Sequence, residues 1–593
     1  MVGDFPKSRP SVKTAITHIK AGFLAGERGR RERDRAQCTS PYIPTQTFTS
    51  DSSCCGHTML VELLVNAAVP LVLVLVLWRL WRHYSVQGDP ACDLPLPKGS
   101  MGLPFIGETL AFATQGADFS RSRHELYGDV YKTHILGRPT VRVRGADNVR
   151  KILHGENTLV TTVWPHSIRQ VLGTQNLAMS FGEEHRFRKR IVLKAFNHDA
   201  MESYLGSLQA VVRDTVARWC GPQQPVLVYP ATREMSFQSA AASLLGIHSG
   251  GEDAQRVTIL FQNMVDNLFS LPIKIPFGGL SKALQYRRSI DQWLEGHIKR
   301  KQRDIESGDV GTDALSRLVL AARDVGHDLS SQELQDTAVE LLFAGHETTS
   351  SAATSLIMHL ALQPQVVQKV HEDLEKHGLL QPDQPLSLEQ VGRLTYVGQV
   401  VKEVLRISPP IGGGFRTAQK TFELDGFQVP EGWTVTYSIR DTHESAENES
   451  SPEKFDPDRW AALSDGSRRR RHHYIPFGGG PRACAGKEFA KLQLKLLCVE
   501  LVRTCRWELA DGKVPAMTTI PVPRPVNGLP VRFTPCELQT NNTLSEATTQ
   551  SSASVAAGQS SEVPAASHTP PKQEDFKAPC QIVMARKSEA CGA

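Results

Sequence analysis

Phe477-Gly-Gly-Gly-Pro-Arg-Ala-Cys-Ala-Gly486 places one cysteine, Cys484, in a glycine-framed loop just ahead of a segment with helical character from about Lys487 to Leu509. Glycines let the backbone turn tightly and approach a flat partner closely, and the positive end of the helix that follows favours an ionised sulfur. No second Cys or His stands nearby at zinc-ligand spacing. The loop therefore offers a single thiolate, which is what a haem iron accepts on one axial side. A buried structural cysteine is the other reading of a lone thiol, and the surrounding Phe, Gly and Pro-Arg positions favour the ligand.

Upstream, Glu340 to Leu362 is largely apolar and small, which reads as a long buried helix interrupted by Gly345, His346, Glu347, Thr348 and Thr349. A carboxylate in such a setting is costly without a purpose. The glycine weakens the helix, and a Thr hydroxyl that turns back to the carbonyl four residues earlier distorts the ladder, so a pocket for oxygen or water is expected here. A core helix with a few satisfied polar groups is the alternative. Further on, Glu403-Val-Leu-Arg406 puts a carboxylate and a guanidinium on one helix face, a spacing most often seen in solvated surface pairs. It is followed by Phe455-Asp-Pro-Asp-Arg459-Trp460.

Taken in order, A-G-x-[DE]-T-[TS] at Ala344–Thr349, E-x-x-R at Glu403–Arg406, P-x-R-[FW] at Pro457–Trp460 and F-G-x-G-x-R-x-C-x-G at Phe477–Gly486 resemble the cytochrome P-450 superfamily. The resemblance implies a mainly α fold with a small β-sheet region enclosing haem b. It makes Cys484 the axial ligand, has Arg482 reach a haem propionate, packs Phe477 near the sulfur, and gives Gly478 and Gly486 the turns of the loop. By the same resemblance Glu347 and Thr348 are the acid and alcohol that deliver protons to dioxygen, and Ala344 and Gly345 leave room over the haem. Glu403, Arg406 and Arg459 become a structural triad behind the haem. Where many members carry W-x-x-x-R this chain has His185-Arg-Phe-Arg-Lys189, so His185 and Lys189 are weaker candidates for propionate contacts, and Arg416 is another.

The 593 residues suit one large domain over 95–536, and a net charge of +5 is too mild to argue for nucleic acid. The eleven cysteines show no C-x-x-C pairing, which fits a reducing, cytosolic setting. Residues 59–82 contain the run Val69–Leu77 followed by Arg79, Arg82 and His83, so a single transmembrane anchor in the endoplasmic reticulum membrane is expected, with the catalytic domain facing the cytosol. A proline-bearing connector over 83–104 follows. Residues 1–58 read as a disordered extension that need not belong to the mature protein, and 537–593 as a disordered Ser/Thr/Ala/Pro-rich tail.

The segments Trp164–Arg169, Asn267–Pro272, Leu342–Thr349, Pro409–Arg416 and Tyr437–His443 are similar to the retinoic acid hydroxylases within that superfamily. This implies all-trans-retinoic acid as substrate, oxidised chiefly at carbon 4, with dioxygen and with electrons from NADPH through an NADPH-cytochrome reductase. Trp164, Phe269, Phe343 and Ile411 are the candidates for an apolar substrate wall. For the carboxylate, Arg138 and Arg142 lie on one side of a strand and are expected to converge on one anion, unless they face solvent at a sheet edge. Arg468–Arg471 is either a docking patch for an acidic reductase or a solvated loop. Competing functions are oxidation of another lipid such as a sterol or fatty acid, a haem-thiolate isomerase, against which the Glu347-Thr348 pair argues, and a non-catalytic retinoid-binding haem protein.

Overall fold

The computed structural model describes residues 53–84, 86–104, 106–248, 252–270, 274–445, 451–461, 473–519 and 521–536. The expected extension up to residue 52, the basic run Arg468–Arg471 and the tail 537–593 lie outside them. The first helix, α1 (Ser53–Tyr84), contains Pro70, and its apolar side chains from Val69 to Leu77 are exposed. Side chains before Asn66 lie outside the description. Among the described residues no helix is long and apolar enough to cross a membrane.

The connector after α1 is laid along the protein rather than held off it. The Gln428 amide accepts the Asp89 N–H and donates to Cys92 and Leu94 carbonyls, and Lys132 N–H reaches Lys98 O. Lys132 belongs to β1 (Val130–Ile135), which forms a hairpin with β2 (Arg138–Val143). With β3 (Val160–Thr162), β4 (Gly413–Ala418) and β5 (Thr434–Ser438) they build a five-stranded sheet in the order β1-β2-β5-β4-β3. Only the β2/β5 pair is parallel. Val141, Val143, Val435 and Tyr437 pack this sheet against α2 (Ala146–His154), whose Val149, Ile152 and Leu153 complete a small apolar core.

The larger core is helical. It gathers α3 (His166–Leu172), α4 (Gly182–Lys194), α5 (His198–Trp219), α6 (Val228–Leu245), α7 (Gly279–Glu306), α8 (Ser331–Leu362), α9 (Thr395–Ile407) and α10 (Lys487–Thr504). At 32 residues α8 is about 48 Å long, and it starts nine residues before the apolar run because Ser330 and Glu333 form a reciprocal capping box. It is α-helical without a break through Gly345 and Thr349. The helix α10 ends at Thr504, five residues earlier than its sequence suggests, because Cys505–Leu509 extends and pairs antiparallel with Pro530–Pro535.

Candidate active site

The loop bearing Cys484 is closed by its own backbone and braced by two helices. Cys484 N–H donates to Phe477 O at 3.0 Å, and Ala490 N–H to Gly486 O starts α10 directly behind the sulfur. Gly480, at φ 62°, lies so close to α2 that a Cβ there would sit 2.2 Å from Leu153 O. Only glycine fits that approach. From α4, Lys189 donates to Pro481 O at 2.5 Å and Ala483 O at 2.8 Å. Lys189 therefore braces the loop. Phe477 is partly buried against the helical core, with Lys491 over its ring at 5.7 Å.

The Cys484 sulfur is accessible but recessed. Burial raises the thiol pKa, and the Gly486 N–H and the charges of Lys189 and Lys487 act against that rise. A metal cation at the sulfur removes the penalty outright.

Beside the loop, Glu156 bridges two arginines. Arg482 Nε donates to its Oε1 at 3.1 Å, and Arg416 Nε lies 2.9 Å from its Oε2. The second contact is off the hydrogen-bond line, so Arg416 Nε and Glu156 Oε2 remain buried without a hydrogen-bond partner among the described residues. The Nδ1 of buried His185 is in the same condition. Burial, followed by the charges of Arg482 and Lys189, pushes His185 down to about 4, so it stands neutral beside them. The orphaned Arg416 Nε–H, beside the Arg482 guanidinium, is a donor that the carboxylate edge of an acidic cofactor would satisfy; Glu156 Oε2, itself an acceptor, is not. An accessible Cys484, buried Arg416 with its orphaned Nε–H and half-buried Arg482 fit a haem and its propionates.

The helix α8 supplies the opposite requirement. Although most of its residues are buried, Glu340, Phe343, Ala344 and Thr348, spaced three and four apart, form one stripe that is half-buried to exposed, with Ala344 the most open of the four. Thr348 Oγ1 donates back to Ala344 O at 2.6 Å, as the sequence suggests, which leaves its oxygen as an acceptor. Gly345 differs from expectation. A Cβ there would meet Ala240 Cβ at 3.3 Å, so its smallness serves the crossing of α6 rather than space over a cofactor.

Glu347 is buried and turned away from Thr348. Its Oε1 accepts Arg233 Nε at 2.8 Å, its Oε2 accepts the Tyr229 hydroxyl at 3.0 Å, and Arg233 also donates to Asp266 at 2.8 Å. The acid and the alcohol therefore sit in sequence but in separate hydrogen-bond sets. Neighbouring His346 is fully buried between Phe237 and Phe261 and is pushed down to about 3.

Glu403 closes the structure behind the loop. It accepts Arg406 Nε at 2.9 Å and Nη2 at 2.8 Å, Arg459 Nε at 2.9 Å and Trp460 Nε1 at 3.0 Å, all around a carboxylate that is fully buried. Arg406 and Arg459 then reach Lys454 O. With Asp456 N–H at 2.9 Å as well, five N–H groups on one carboxylate make this a lock between α9 and the loop before Cys484.

The substrate candidates are placed unevenly. The Trp164 indole donates to Ala178 O at 3.2 Å, Phe343 lies on the accessible stripe, and Ile411 is 43% exposed just before β4. Phe269 follows the helix Glu252–Leu268 and is about half exposed. Phe415, 40% exposed within β4, and Phe181, 38% exposed with Arg482 over its ring at 5.4 Å, are accessible aromatics the sequence reading passed over. Their one signal was adjacency to Arg416 and to α4.

Arg138 and Arg142 do not converge. They share a strand face, but Arg138 is exposed at the start of β2, whereas Arg142 is buried, donates to Ser120 Oγ at 2.8 Å and lies over the rings of Phe112 and Phe119. Arg142 also helps hold buried Asp441 ionised, well below the usual carboxylate range, together with His124, Arg440 and Ser438. Its Nη2 is committed to Ser120, and its Nε has no hydrogen-bond partner among the described residues.

A family model for cytochrome P450 matches residues 97–528. Cytochrome P450 26C1 of Homo sapiens is 46% identical over 497 residues, covering 80% of this chain and 94% of that protein. Cytochrome P450 26B1 of Homo sapiens is 43% identical, with 83% and 96% covered, and cytochrome P450 26A1 of Danio rerio is 44% identical, with 81% and 98% covered. A solved structure described as retinoic acid bound cyanobacterial CYP120A1 superposes with a TM-score of 0.68 at 34% identity, over 75% of this chain and all of that one.

Proposed function

The chain belongs to the cytochrome P450 family, and on that footing we propose that it hydroxylates all-trans-retinoic acid, chiefly at carbon 4, as a step of retinoid clearance. The overall change is R–H + O2 + NADPH + H+ → R–OH + H2O + NADP+. The observation that carries the substrate is the likeness to a retinoic-acid-bound structure over three quarters of the chain, joined to the accessible stripe of α8 beside an otherwise apolar interior.

Haem, ligated through Cys484, supplies the activation of dioxygen when bound. The chain's own residues do the rest. Arg482 and Arg416 would hold the propionates in place of Glu156, and Ala344 keeps the α8 stripe low enough for a flat ring system. Thr348 holds an acceptor oxygen at that stripe, and Glu347 carries a proton when Arg233 releases it toward Asp266. Electrons come from NADPH through a flavoprotein reductase, and the apolar stretch of the sequence over 59–82, whose first side chains lie outside the description, followed by the basic Arg79, Arg82 and His83, is the single-pass anchor we propose in the endoplasmic reticulum membrane with the domain in the cytosol.

The test is a Soret-band titration of the haem-loaded protein with retinoic acid, a steroid and a fatty acid in parallel. Retinoic acid should displace the resting sixth ligand at the lowest concentration. A steroid or fatty acid that does so while retinoic acid does not would refute the substrate.

A further inference from the structure

The segment 173–180 joins the Cys484 loop to α8, and two carboxylates one helical turn apart hold it. Asp336 Oδ2 accepts the backbone N–H of Thr174 and of Gln175, each at 2.9 Å. Four residues on, Glu340 accepts Leu177 N–H at 3.0 Å on one oxygen and Ala178 N–H at 2.7 Å on the other. No other helix places carboxylates on backbone N–H groups of this segment among the described residues, and the arrangement is tight. A Cβ at Gly173, where φ is 85°, would lie 2.1 Å from the Asp336 carboxyl, so glycine is required for the approach. Asp336 is braced in turn by Arg287 at 2.6 Å, which also donates to Val171 O and pairs with Asp291.

What the segment carries explains why it is held so firmly. Ala178 O receives the Trp164 indole N–H, and Ser180 O receives Arg482 Nη2 at 2.7 Å. The segment that Glu340 grips by its Leu177 and Ala178 N–H groups therefore also positions, through the Ala178 and Ser180 carbonyls that follow, a candidate wall aromatic and the arginine beside Cys484. Glu340 itself sits on the accessible stripe with Ala344 and Thr348, and desolvation outweighs its two N–H bonds and pushes its carboxyl up to about 7. A side chain placed at such a cost for packing alone is readily replaced by an apolar one.

We propose that Glu340, supported by Asp336, is a positioning residue of the reaction: by gripping the Leu177 and Ala178 amides it fixes Trp164 and Arg482, and so sets substrate affinity from α8. Displacing the reacting groups by about 1 Å is enough to cost on the order of a hundredfold in rate. The retinoid part of this rests on the proposed function, and the grip on the amides does not.

The full-length, haem-loaded protein is compared as wild type, Glu340→Gln and Asp336→Asn. Hydrogen exchange is read at the amides of residues 174–178, and the dissociation constant for retinoic acid is read from the Soret band. Glu340→Gln, which keeps the volume but offers one acceptor where there were two, should speed exchange at Leu177 or Ala178 and weaken retinoic acid binding about tenfold, the worth of one hydrogen bond to a charged group. Asp336→Asn should show the same pairing of effects at Thr174 and Gln175, and it keeps the test intact if the first variant does not fold. Unchanged exchange, or faster exchange with unchanged affinity in the protein that retains haem, would overturn the proposal. If wild type itself does not bind retinoic acid, the retinoid reading fails, and the exchange arm still decides the grip.

Discussion

Glu156 Oε1 accepts the Nε–H of Arg482 at 3.1 Å although 326 residues separate them in the chain. With Arg416 on its other oxygen, Glu156 lies between the two guanidiniums that would hold the propionates of a haem. A buried charge that loses its partner is strongly destabilising, and one supplied with a new partner is not.

The Glu156→Ala variant should therefore lose about 3–5 kcal/mol of stability without haem and markedly less with it. Thermal unfolding of the haem-free and haem-loaded forms checks this. Equal losses in both forms would mean that the propionates do not replace Glu156.

Glu403 accepts five N–H groups, and removing it takes a buried negative charge away from Arg406 and Arg459. Glu403→Ala should cost about 3–5 kcal/mol and yield protein that loses haem. Denaturant unfolding with haem content gives the measurement, and any folded fraction should keep the wild-type affinity for retinoic acid.

Arg233 is shared between Glu347 and Asp266. If Glu347 handles the proton, Arg233→Ala or Glu347→Gln should lower turnover about a hundredfold, the lower end of what one positioned acid contributes. The dissociation constant for substrate should barely move. Product formation with NADPH and reductase, set beside the Soret titration, separates the two effects.

Buried histidines, His185 beside the Cys484 loop among them, shape the response to acid. Burial holds His346 down to about 3 and His359 and His443 down to about 4, against an ordinary 6.5. His443 is fixed as one neutral tautomer, with Nδ1 at 2.9 Å from Arg406 O and Nε2 accepting Ile475 N–H at 2.9 Å. The unfolded chain takes up protons below 6.5 that the folded one refuses, so stability is full above 6.5 and falls as pH drops toward 4. Each group adds up to about 1.4 kcal/mol per pH unit within that window. Unfolding midpoints across pH 8 to 5 should decline steepening below 6.5, and His443→Asn should flatten part of the slope.

Local pattern carried much of this into the sequence. The Cys484 loop, the Glu403–Arg406 pair and the apolar helix around Ala344 are set by residues within a few turns of one another, and the back-bond of Thr348 follows from a spacing of four. What escaped depends on separations no spacing encodes. Glu156 meets Arg482, and Glu340 meets Leu177, only once α2, the 173–180 segment and α8 are packed. Arg142 shows the converse error. Strand alternation places it correctly on the face of Arg138, but whether that face meets a ligand or the helix Ala117–Tyr127, which carries Ser120, is a tertiary fact. The end of α10 at Thr504 was likewise decided by the partner strand Pro530–Pro535.

The most direct measurement is product analysis after incubating the haem-loaded protein with a flavoprotein reductase, NADPH, all-trans-retinoic acid and heavy-isotope dioxygen. A hydroxylated retinoic acid bearing one heavy oxygen atom, formed only with NADPH and lost in Cys484→Ala, is the result the account predicts. Retinoic acid recovered unchanged, or a product whose oxygen comes from water, would contradict it.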